Sequence, residues 1–484
     1  MKNIILCSDG TGNSGGKTRG TNVWRIYNVI DRFHSSTEQV TFYDDGVGTE
    51  NLKWLKLLGG AFGWGLSRNI RQLYSFLVMN YQPGDKIFLF GFSRGAFTVR
   101  ALSGMICKCG LWDRQQYIAS KNRDKIVNRI LKAYRQVKHT DLDKLKSEQI
   151  KLESVEIKMI GVWDTVDAVG IPSDNLRDWV DIWYKAITGR RLYGFHDQVL
   201  SDKVKYGFQA LALDDERKTF QPNIWEPRKN VEQVWFAGVH SNIGGGYPQD
   251  GLSYVALDWM MCKAEKLNLK FYKDVWNVYR EAANVNAKMY DSRTGLAMFY
   301  AYDPRVMIAD SLVHISVFDR IKKGNENYAP SIINIPIKAA YTEDGPYKKD
   351  KEINFPALNE TINNKIKRLV IKRKILYYTF VIFNVLAAIL IVGEMFNPHP
   401  AKLDSLFNFD ANWYQVLIDR LELVVKLLVP GFLERVIDVI WLHKIWSISG
   451  IVIFYILRKL SSRAKSKLDE MVFHGWQKTI HAAE

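Results

Sequence analysis

A serine between two glycines follows an apolar run near residue 90. Residues 86–96 predict a buried strand, a tight Gly-x-Ser-x-Gly turn at Gly91, Ser93 and Gly95, and then a helix. Such a turn is crowded, so it needs glycines, and the helix N-terminus that follows favours developing negative charge. The pattern indicates a serine nucleophile. A glycine-rich turn with an ordinary serine helix cap is the alternative, and the motif alone does not decide between them.

A serine nucleophile needs a general base, and the base needs an orienting carboxylate. Asp164 and His240 each follow a predicted strand, so both would lie with Ser93 at the carboxyl edge of a parallel sheet. The order Ser, Asp, His is that of α/β-hydrolases. We therefore predict a catalytic triad of Ser93, Asp164 and His240, with Asp167 as the alternative acid. Taken singly, Asp164 could be a helix cap and His240 an ordinary loop histidine.

The first predicted strand ends in Asp9, Gly10 and Thr11. In this architecture an early loop and the residue after the nucleophile supply the backbone N–H groups of an oxyanion hole. We therefore predict Gly10 or Thr11, together with Arg94, as the donors.

Two other chemistries compete for this first loop. Residues 11–18 nearly fit a phosphate-binding P-loop, but Thr11 replaces the first glycine and no clear apolar-faced helix follows. An aspartate at the end of a first strand is also typical of phosphatases with an aspartyl nucleophile, which would be Asp9. A single aspartate with no clear metal partner argues against that interpretation, and Asp9 is kept as a secondary candidate.

Strands alternate with helical patterns up to about residue 350. This predicts an α/β-hydrolase-like, mostly parallel sheet with helices on both faces. Predicted strands are residues 3–8, 40–43, 86–90, 155–163, 231–236 and 312–318; predicted helices are 23–33, 67–81, 96–107 and 252–267. We expect the catalytic domain to cover 1–350, with helical insertions at about 113–152 and 171–205. The second insertion contains a candidate acyl-binding lid, with a surface helix as the alternative.

The composition changes after residue 350. A basic linker, 351–374, precedes a predicted membrane region, 375–484, that ends in a basic tail. Its apolar segments 375–396 and 439–457 are predicted to be transmembrane helices, because a span across about 30 Å of hydrocarbon needs about 20 apolar residues. A buried core helix is the alternative for the first segment. The positive-inside rule then predicts a multi-pass protein whose catalytic domain and C-terminus face the cytoplasm.

The formal net charge is +16, which favours anionic partners such as lipid headgroups. No nucleic-acid-binding motif appears, so no nucleic-acid partner is predicted. The four cysteines, Cys7, Cys107, Cys109 and Cys262, lack zinc-site spacing and are expected to be reduced thiols. We predict no metal and no cofactor.

Seven short blocks together resemble a known family, the α/β-hydrolase domain of bacterial type VI secretion phospholipase effectors. They are residues 9–13, 21–23, 43–49, 91–96, 161–166, 210–214 and 238–247, and the resemblance covers roughly residues 2–318. It implies that Ser93 is the nucleophile, Asp164 the orienting acid and His240 the base. The implied reaction is hydrolysis of phospholipid esters, and the membrane of a bacterial member would be the inner membrane.

The sequence departs from that family at Asn242, where we expect an aspartate. An aspartate there would orient His240 or bind a metal, so this role is in question. The C-terminal segments also lie outside the family blocks. Together, these observations predict a membrane-anchored serine esterase that cleaves phospholipid acyl esters through an acyl-enzyme. A non-catalytic membrane scaffold or lipid-binding protein with a hydrolase fold is the alternative.

Overall fold

The structure is a computed structural model of the 484-residue chain. It describes residues 1–10, 20–46, 61–135, 140–166, 199–294, 297, 300–308, 310–324, 328–330, 337–342, 344–348, 354–355, 360–396 and 444–483. The chain divides into two compact units. The first contains Met1–Ile362 and Val472–Glu484, and the second contains Asn363–Met471.

The strands belong to the first unit. Those in the described residues are β1 (Asn3–Ser8), β2 (Gln39–Asp44), β3 (Lys86–Phe92), β4 (Leu111–Trp112), β5 (Leu152–Glu153), β6 (Ile157–Trp163), β7 (Val204–Ala212), β8 (Val231–Phe236), β9 (Leu312–His314), β10 (Ile337–Ala340) and β11 (Asn354–Phe355). The main sheet has the order β11-β10-β9-β8-β7-β6-β3-β1-β2, and its neighbours are parallel except β10 and β11. The predicted mostly parallel sheet is confirmed.

The helices occur in both units. Those in the described residues are α1 (Asn22–Val29), α2 (Ala61–Asn80), α3 (Arg94–Cys109), α4 (Arg114–Ala119), α5 (Arg123–Arg135), α6 (Thr140–Ser147), α7 (His240–Gly244), α8 (Gly251–Lys266), α9 (Lys273–Glu281), α10 (Ile315–Lys322), α11 (Glu360–Phe396) and α12 (Lys444–Ala483).

Alternate residues of β1 belong to two different hydrophobic clusters. Ile4 and Leu6 pack with residues of α2, α3 and α5, whereas Ile5 and Cys7 pack with residues of α1 and α8. All four side chains are fully buried. Because successive side chains of a strand point to opposite faces, helices cover both faces of the sheet. This part of the predicted fold is also confirmed.

One central strand, β7, is not predicted from the sequence. It pairs with β6 and β8, yet it contains Gly207 and Gln209 in place of a continuous apolar run. Gln209 is fully buried, and its amide group bonds to Thr165, Asn223 and Gln233. Tertiary hydrogen bonds thus satisfy a polar group that, in the sequence, argues against a buried strand.

The predicted strand 312–318 is wrong in its second half. The strand β9 ends at His314 and the helix α10 begins at Ile315. The imidazole of His314 accepts a hydrogen bond from the N–H of Ser316, so His314 acts as the N-cap of α10. A polar cap inside an otherwise apolar run therefore ends the strand.

The first expected insertion, 113–152, contains the helices α4, α5 and α6. Val127, Ile130 and Leu131 of α5 are buried in the cluster that contains α2 and α3, so one face of this insertion belongs to the core. Most of the second expected insertion, 171–205, lies outside the described residues, which resume at residue 199.

The helices α11 and α12 contribute most of the described part of the second unit, and the rings of Phe380 and Phe454 meet there at 5.3 Å. The predicted span 375–396 is the second part of α11, whose first part is strongly basic. In the predicted span 439–457, residues 439–443 lie outside the described residues and the rest is in α12. Within the part of the chain that is described, no helix has the length and apolar character to cross a membrane.

Candidate active site

Ser93 stands between β3 and α3, in a conformation that few residues other than glycine adopt. Its φ is 58° and its ψ is −121°. A Cβ at Gly91 would lie 2.6 Å from the carbonyl oxygen of Gly95, and a Cβ at Gly95 would overlap the carbonyl oxygen of Ser8. Neither position can hold a side chain unless the backbone moves. The sharp turn therefore depends on both glycines, and strain of this kind at a serine is typical of a functional site.

His240, the first residue of α7, lies beside Ser93. The His240 Nε2 is 2.8 Å from the Ser93 Oγ, and the His240 Nδ1 is 2.5 Å from Asp164 Oδ2. Ser93, His240 and Asp164 are 6%, 5% and 0% exposed. The structure thus brings together the three side chains that the sequence predicts as nucleophile, base and orienting acid.

The strand β7 fixes the position of Asp164. The Asp164 N–H donates to the carbonyl of Ala210 at 2.8 Å, and the N–H of Ala212 donates to Asp164 Oδ1 at 3.0 Å. Asp164 has a φ of 45°, in the left-handed region that aspartate tolerates better than most residues. The carboxylate is therefore held by a strand that the sequence does not predict.

A buried arginine, Arg305, binds both oxygens of the Asp164 carboxylate. Its Nη1 and Nη2 lie 2.6 Å and 2.7 Å from Asp164 Oδ1 and Oδ2, and Arg305 is 1% exposed. Sequence reasoning missed this residue because it lies 141 positions from Asp164, outside every quoted block of the resemblance. No spacing pattern in the sequence would have identified it.

These contacts determine the charges of the site. Burial would raise the pKa of Asp164, but the Arg305 charge and the hydrogen bonds from His240 and Arg305 hold that pKa well below its usual range. The pKa of His240 is lowered, mainly because burial disfavours the imidazolium, while Asp164 opposes that shift. At neutral pH the site therefore contains an ionised carboxylate and a neutral imidazole, as a general base requires.

A second buried carboxylate, Asp215, approaches His240 from the backbone side. It accepts a hydrogen bond from the backbone N–H of His240 at 3.2 Å. It also forms a two-point ion pair with Arg217, at 3.0 Å and 2.7 Å. The Arg217 guanidinium lies 3.4 Å from the ring centre of Phe220, and the Phe220 ring meets the imidazole edge-on at 5.1 Å. The ring of Phe92 packs 4.7 Å from the imidazole. A partial signal for Asp215 existed, since the block 210–214 ends beside it.

The predicted oxyanion donors have different outcomes. The Gly10 N–H donates to Asp9 Oδ1 at 2.6 Å, so this donor is already engaged. Thr11 lies outside the described residues. Arg94 is the first residue of α3, where a backbone N–H has no acceptor within the helix. Its side chain is desolvated, which lowers the pKa of Arg94 to about 10 and leaves it charged at neutral pH.

The carboxylate of Asp9 links the end of β1 to neighbouring segments by hydrogen bonds. Besides Gly10, it accepts hydrogen bonds from the Thr21 hydroxyl at 2.5 Å and the Tyr43 hydroxyl at 2.6 Å. Burial raises the pKa of Asp9 to about 6, although these hydrogen bonds oppose the shift. Among the described residues, no group of three or more His, Cys, Asp or Glu side chains could hold a metal ion. These observations do not favour an aspartyl nucleophile at Asp9.

The two remaining candidates do not join the site through their side chains. Asn242 is fully buried, and its oxygen accepts the backbone N–H groups of Val239 and Tyr290 at 3.3 Å and 3.4 Å. Its amide donates to the Lys288 carbonyl at 3.4 Å, so Asn242 ties the loop that carries the histidine to a neighbouring segment. Asp167 lies outside the described residues.

The fold and site define an α/β protein with a Ser-His-Asp arrangement at the carboxyl edge of its sheet, which is the geometry of acyl-transfer enzymes. The chain belongs to the family described as T6SS, phospholipase effector Tle1-like, catalytic domain, which matches residues 2–263. Membership of this family supports a hydrolase of the phospholipase type.

Three individual proteins are also similar to this chain. The uncharacterized protein YEL023C of Saccharomyces cerevisiae is 33% identical over an alignment of 258 residues, which covers 48% of this chain and 34% of that protein. An uncharacterized Pseudomonas aeruginosa crystal structure is 16% identical, with a TM-score of 0.35, and the match covers 62% of this chain and 50% of that one. The Tle1 effector bound to the VgrG spike of the type 6 secretion system is 14% identical, with a TM-score of 0.34, and the match covers 61% of this chain and 78% of that one. The chain thus spans about a third of its yeast relative.

Proposed function

We propose that this protein is a membrane-associated serine esterase that hydrolyses the acyl esters of phospholipids. The observation that carries the proposal is the series of hydrogen bonds from Ser93 Oγ to His240 Nε2 at 2.8 Å and from His240 Nδ1 to Asp164 at 2.5 Å. The serine lies in a strained strand-to-helix turn, and the histidine is neutral at neutral pH. This combination suits nucleophilic attack on an ester.

In the proposed reaction, His240 Nε2 takes the Ser93 hydroxyl proton as Oγ bonds to the ester carbonyl carbon. The carbonyl oxygen becomes an oxyanion, which the Arg94 N–H stabilises; such a donor is worth about 3 kcal/mol. His240 then gives the proton to the alcohol oxygen as the ester C–O bond breaks. Water attacks the acyl-enzyme with the same proton transfers, which releases a fatty acid and restores Ser93.

Two observations support a phospholipid substrate. The family is one of phospholipase effectors. The chain also carries a formal net charge of +16, which attracts anionic lipid surfaces.

Attachment to a membrane is proposed from the helix α11. Ile371, Ile375, Tyr378 and Ile382 are 57%, 60%, 49% and 58% exposed. Their spacing of four, three and four residues places them along one face of the helix. Lysines precede and accompany this face, and helices with an exposed apolar face and basic residues bind lipid interfaces. We propose that this face contacts lipid and that the first unit, which carries the site, lies on the cytoplasmic side of the membrane. In a bacterium this would be the inner membrane.

The catalytic proposal is tested by fatty-acid release from mixed phospholipid vesicles by the full-length chain. We expect release by the wild type and a loss of about 10³-fold or more in Ser93→Ala. Ser103→Ala is the matched control, because Ser103 is also buried in the following helix, 2% exposed, and should retain activity. Equal release by Ser93→Ala would contradict the triad. No release and no fluorophosphonate labelling of the wild type would instead favour the non-catalytic scaffold.

The membrane proposal is tested separately by flotation with vesicles that contain anionic lipid. We expect the double substitution Ile375→Glu with Ile382→Glu to reduce the bound fraction at least several-fold, because two charges would enter the apolar face. Val278→Glu is the control, since Val278 is 61% exposed but lies on α9 in the first unit. Unchanged flotation of the double variant would exclude α11 as the attachment surface.

A further inference from the structure

The guanidinium of Arg305 uses all four of its Nη hydrogens. Nη1 donates to Asp164 Oδ1 at 2.6 Å and to the Ala212 carbonyl at 2.5 Å. Nη2 donates to Asp164 Oδ2 at 2.7 Å and to the Phe220 carbonyl at 2.7 Å. The two carbonyls hold the guanidinium plane, and the guanidinium holds both carboxylate oxygens. The orientation of Asp164 is therefore determined by Arg305 as well as by β7.

We propose that Arg305 is a positioning residue of the site: it fixes the Asp164 carboxylate and balances its charge, so that His240 stays unprotonated and able to act as a base under mildly acidic conditions. This inference rests on the proposed function, because it assigns Arg305 a role in the same serine esterase site. Arg305 acts through Asp164 and does not contact Ser93 in the described hydrogen bonds.

The physical reason lies in the charge balance around the imidazole. In a Ser-His-Asp site the carboxylate stabilises the imidazolium. Here a full positive charge sits on the far side of that carboxylate, at ion-pair distance. The ion pair has no net charge, so it favours the imidazolium less than an unpaired carboxylate would. The histidine consequently loses its proton at a lower pH.

The other charged groups near His240 come as a second balanced pair. Asp215 accepts a hydrogen bond from the backbone N–H of His240. Arg217 forms an ion pair with Asp215 and stacks on Phe220. Asp215 raises the pKa of His240 and Arg217 lowers it. Burial lowers the pKa of His240 most. Because Asp215 and Arg217 oppose each other, the Asp164 carboxylate, which is paired with Arg305, is the main described charge that opposes this effect.

The end of β1 holds a buried carboxylate whose hydrogen-bond partners in the described part of the chain include no cation. Among the described residues, Asp9 accepts hydrogen bonds from neutral donors only, Thr21, Tyr43 and the Gly10 N–H, and its pKa rises to about 6. An Asp164 held only by neutral donors would likewise titrate at higher pH. Arg305 prevents this and keeps the carboxylate ionised in the range where the base must work.

The test measures the rate of fluorophosphonate labelling of Ser93 against pH in the full-length wild type, Arg305→Met and Arg305→Lys. In Arg305→Met we expect the acidic limb of the profile to move to higher pH by about one unit or more, because an unbalanced carboxylate favours the imidazolium. In Arg305→Lys the limb should stay near the wild-type position, since the charge is retained. The labelling rate of Arg305→Lys should nevertheless fall about tenfold or more, because one ammonium cannot hold both carboxylate oxygens as a guanidinium does.

Arg320→Met is the control for the loss of a buried guanidinium. Arg320 is fully buried and donates to the carbonyls of Val285 and Ala287, away from Asp164. Its acidic limb should match that of the wild type. This comparison separates an effect on the site from general destabilisation.

The outcomes are distinct for the two proposals. An Arg305→Met variant that folds and keeps the wild-type acidic limb overturns the role of Arg305 but leaves the esterase proposal standing. A wild type that never labels overturns both. If Arg305→Met does not fold, Arg305→Lys carries the test, and a rate equal to that of the wild type overturns the inference.

Discussion

Two buried carboxylates follow strands of the same sheet, and they differ in the charge of their partners. Asp9 follows β1, Asp164 follows β6, and both are at most 2% exposed. The described donors to Asp9 are neutral, and burial raises its pKa to about 6. Arg305 and His240 surround Asp164, and its pKa is held well below the usual range although burial opposes this.

The difference shows that burial alone does not determine the charge of a carboxyl group. Burial raises the pKa of both groups, and a cation within hydrogen-bond distance reverses the result for one of them. The contribution of Asp9 to the stability of the fold should consequently depend on pH close to neutrality. The end of β6 carries a constant charge over the same range, which suits a group that must orient a catalytic histidine.

The largest effect is expected for Asp164→Asn. The amide cannot stabilise the His240 imidazolium or select its tautomer, so labelling of Ser93 should slow by about 10⁴-fold. The substitution also leaves Arg305 buried without its carboxylate, which should lower the free energy of unfolding by about 3–5 kcal/mol. Labelling rates and urea unfolding measure the two effects.

The double variant Asp164→Asn with Arg305→Met separates these effects. Removing the unpaired guanidinium should restore part of the lost stability, but labelling should stay as slow as in Asp164→Asn. A double variant that is no more stable than the single one would show that Arg305 is not left uncompensated.

Asp9→Asn should change the pH dependence of stability. Because the folded pKa of about 6 exceeds the ordinary value of 3.8, protonated Asp9 favours the fold below that ordinary value. This contribution is lost as the pH rises through about 6, and it amounts to about 3 kcal/mol. The stability of Asp9→Asn should therefore fall less between about pH 4 and about pH 8. Unfolding curves at both pH values check this, with the exposed Glu226→Gln as the control; an unchanged pH dependence in Asp9→Asn would refute it.

Gly95→Ala should displace the end of β1 without changing any charge. The added methyl group would overlap the carbonyl oxygens of Ser8 and Asp9, so we expect a loss of about 1–3 kcal/mol of stability and slower labelling of Ser93. Gly20→Ala is the control, because its methyl would meet only the Trp24 side chain at 3.4 Å and the Arg25 side chain at 3.9 Å. Equal melting temperatures for the two variants would contradict the proposed crowding.

Tyr43→Phe is expected to have the smallest effect. It removes one neutral donor, at 2.6 Å, that lowers the pKa of Asp9. The pKa of Asp9 should rise further, and stability above about pH 6 should fall by about 1 kcal/mol. Tyr27→Phe is the control, because its ring packs 5.3 Å from Tyr43 without a described bond to Asp9. A pH dependence of unfolding identical to that of the wild type would argue against this hydrogen bond.

Much of the fold follows from local patterns. Short apolar runs bounded by polar residues predicted β1 and β8 at their observed bounds, and helical periodicity predicted α3 and α8 to within about two residues. The strand β7 escaped because Gln209 makes it look unsuitable for the core. Its amide is satisfied by residues from other parts of the chain, and such contacts have no local pattern.

The same division holds for the C-terminal helices. Described helices contain residues 375–396 and 444–457 of the two apolar segments, but an apolar run in a sequence does not show where its helix starts. The helix α11 begins at Glu360, so a basic segment and an apolar segment form one continuous element. The prediction of two spanning helices stays without support in the described residues.

The sequence by itself determined the elements that place Ser93, Asp164 and His240 at one edge of a sheet, because a tight glycine turn and parallel strand ends impose local rules on residue type. Only the tertiary structure decided the charges of the site. Arg305 contacts the Asp164 carboxylate, the Asp215 carboxylate contacts the backbone N–H of His240, and the Tyr43 hydroxyl contacts the Asp9 carboxylate, each from a distant segment of the chain. Electrostatic interactions depend on distance and burial in space, so the protonation of each carboxylate follows from packing and not from its position in the chain.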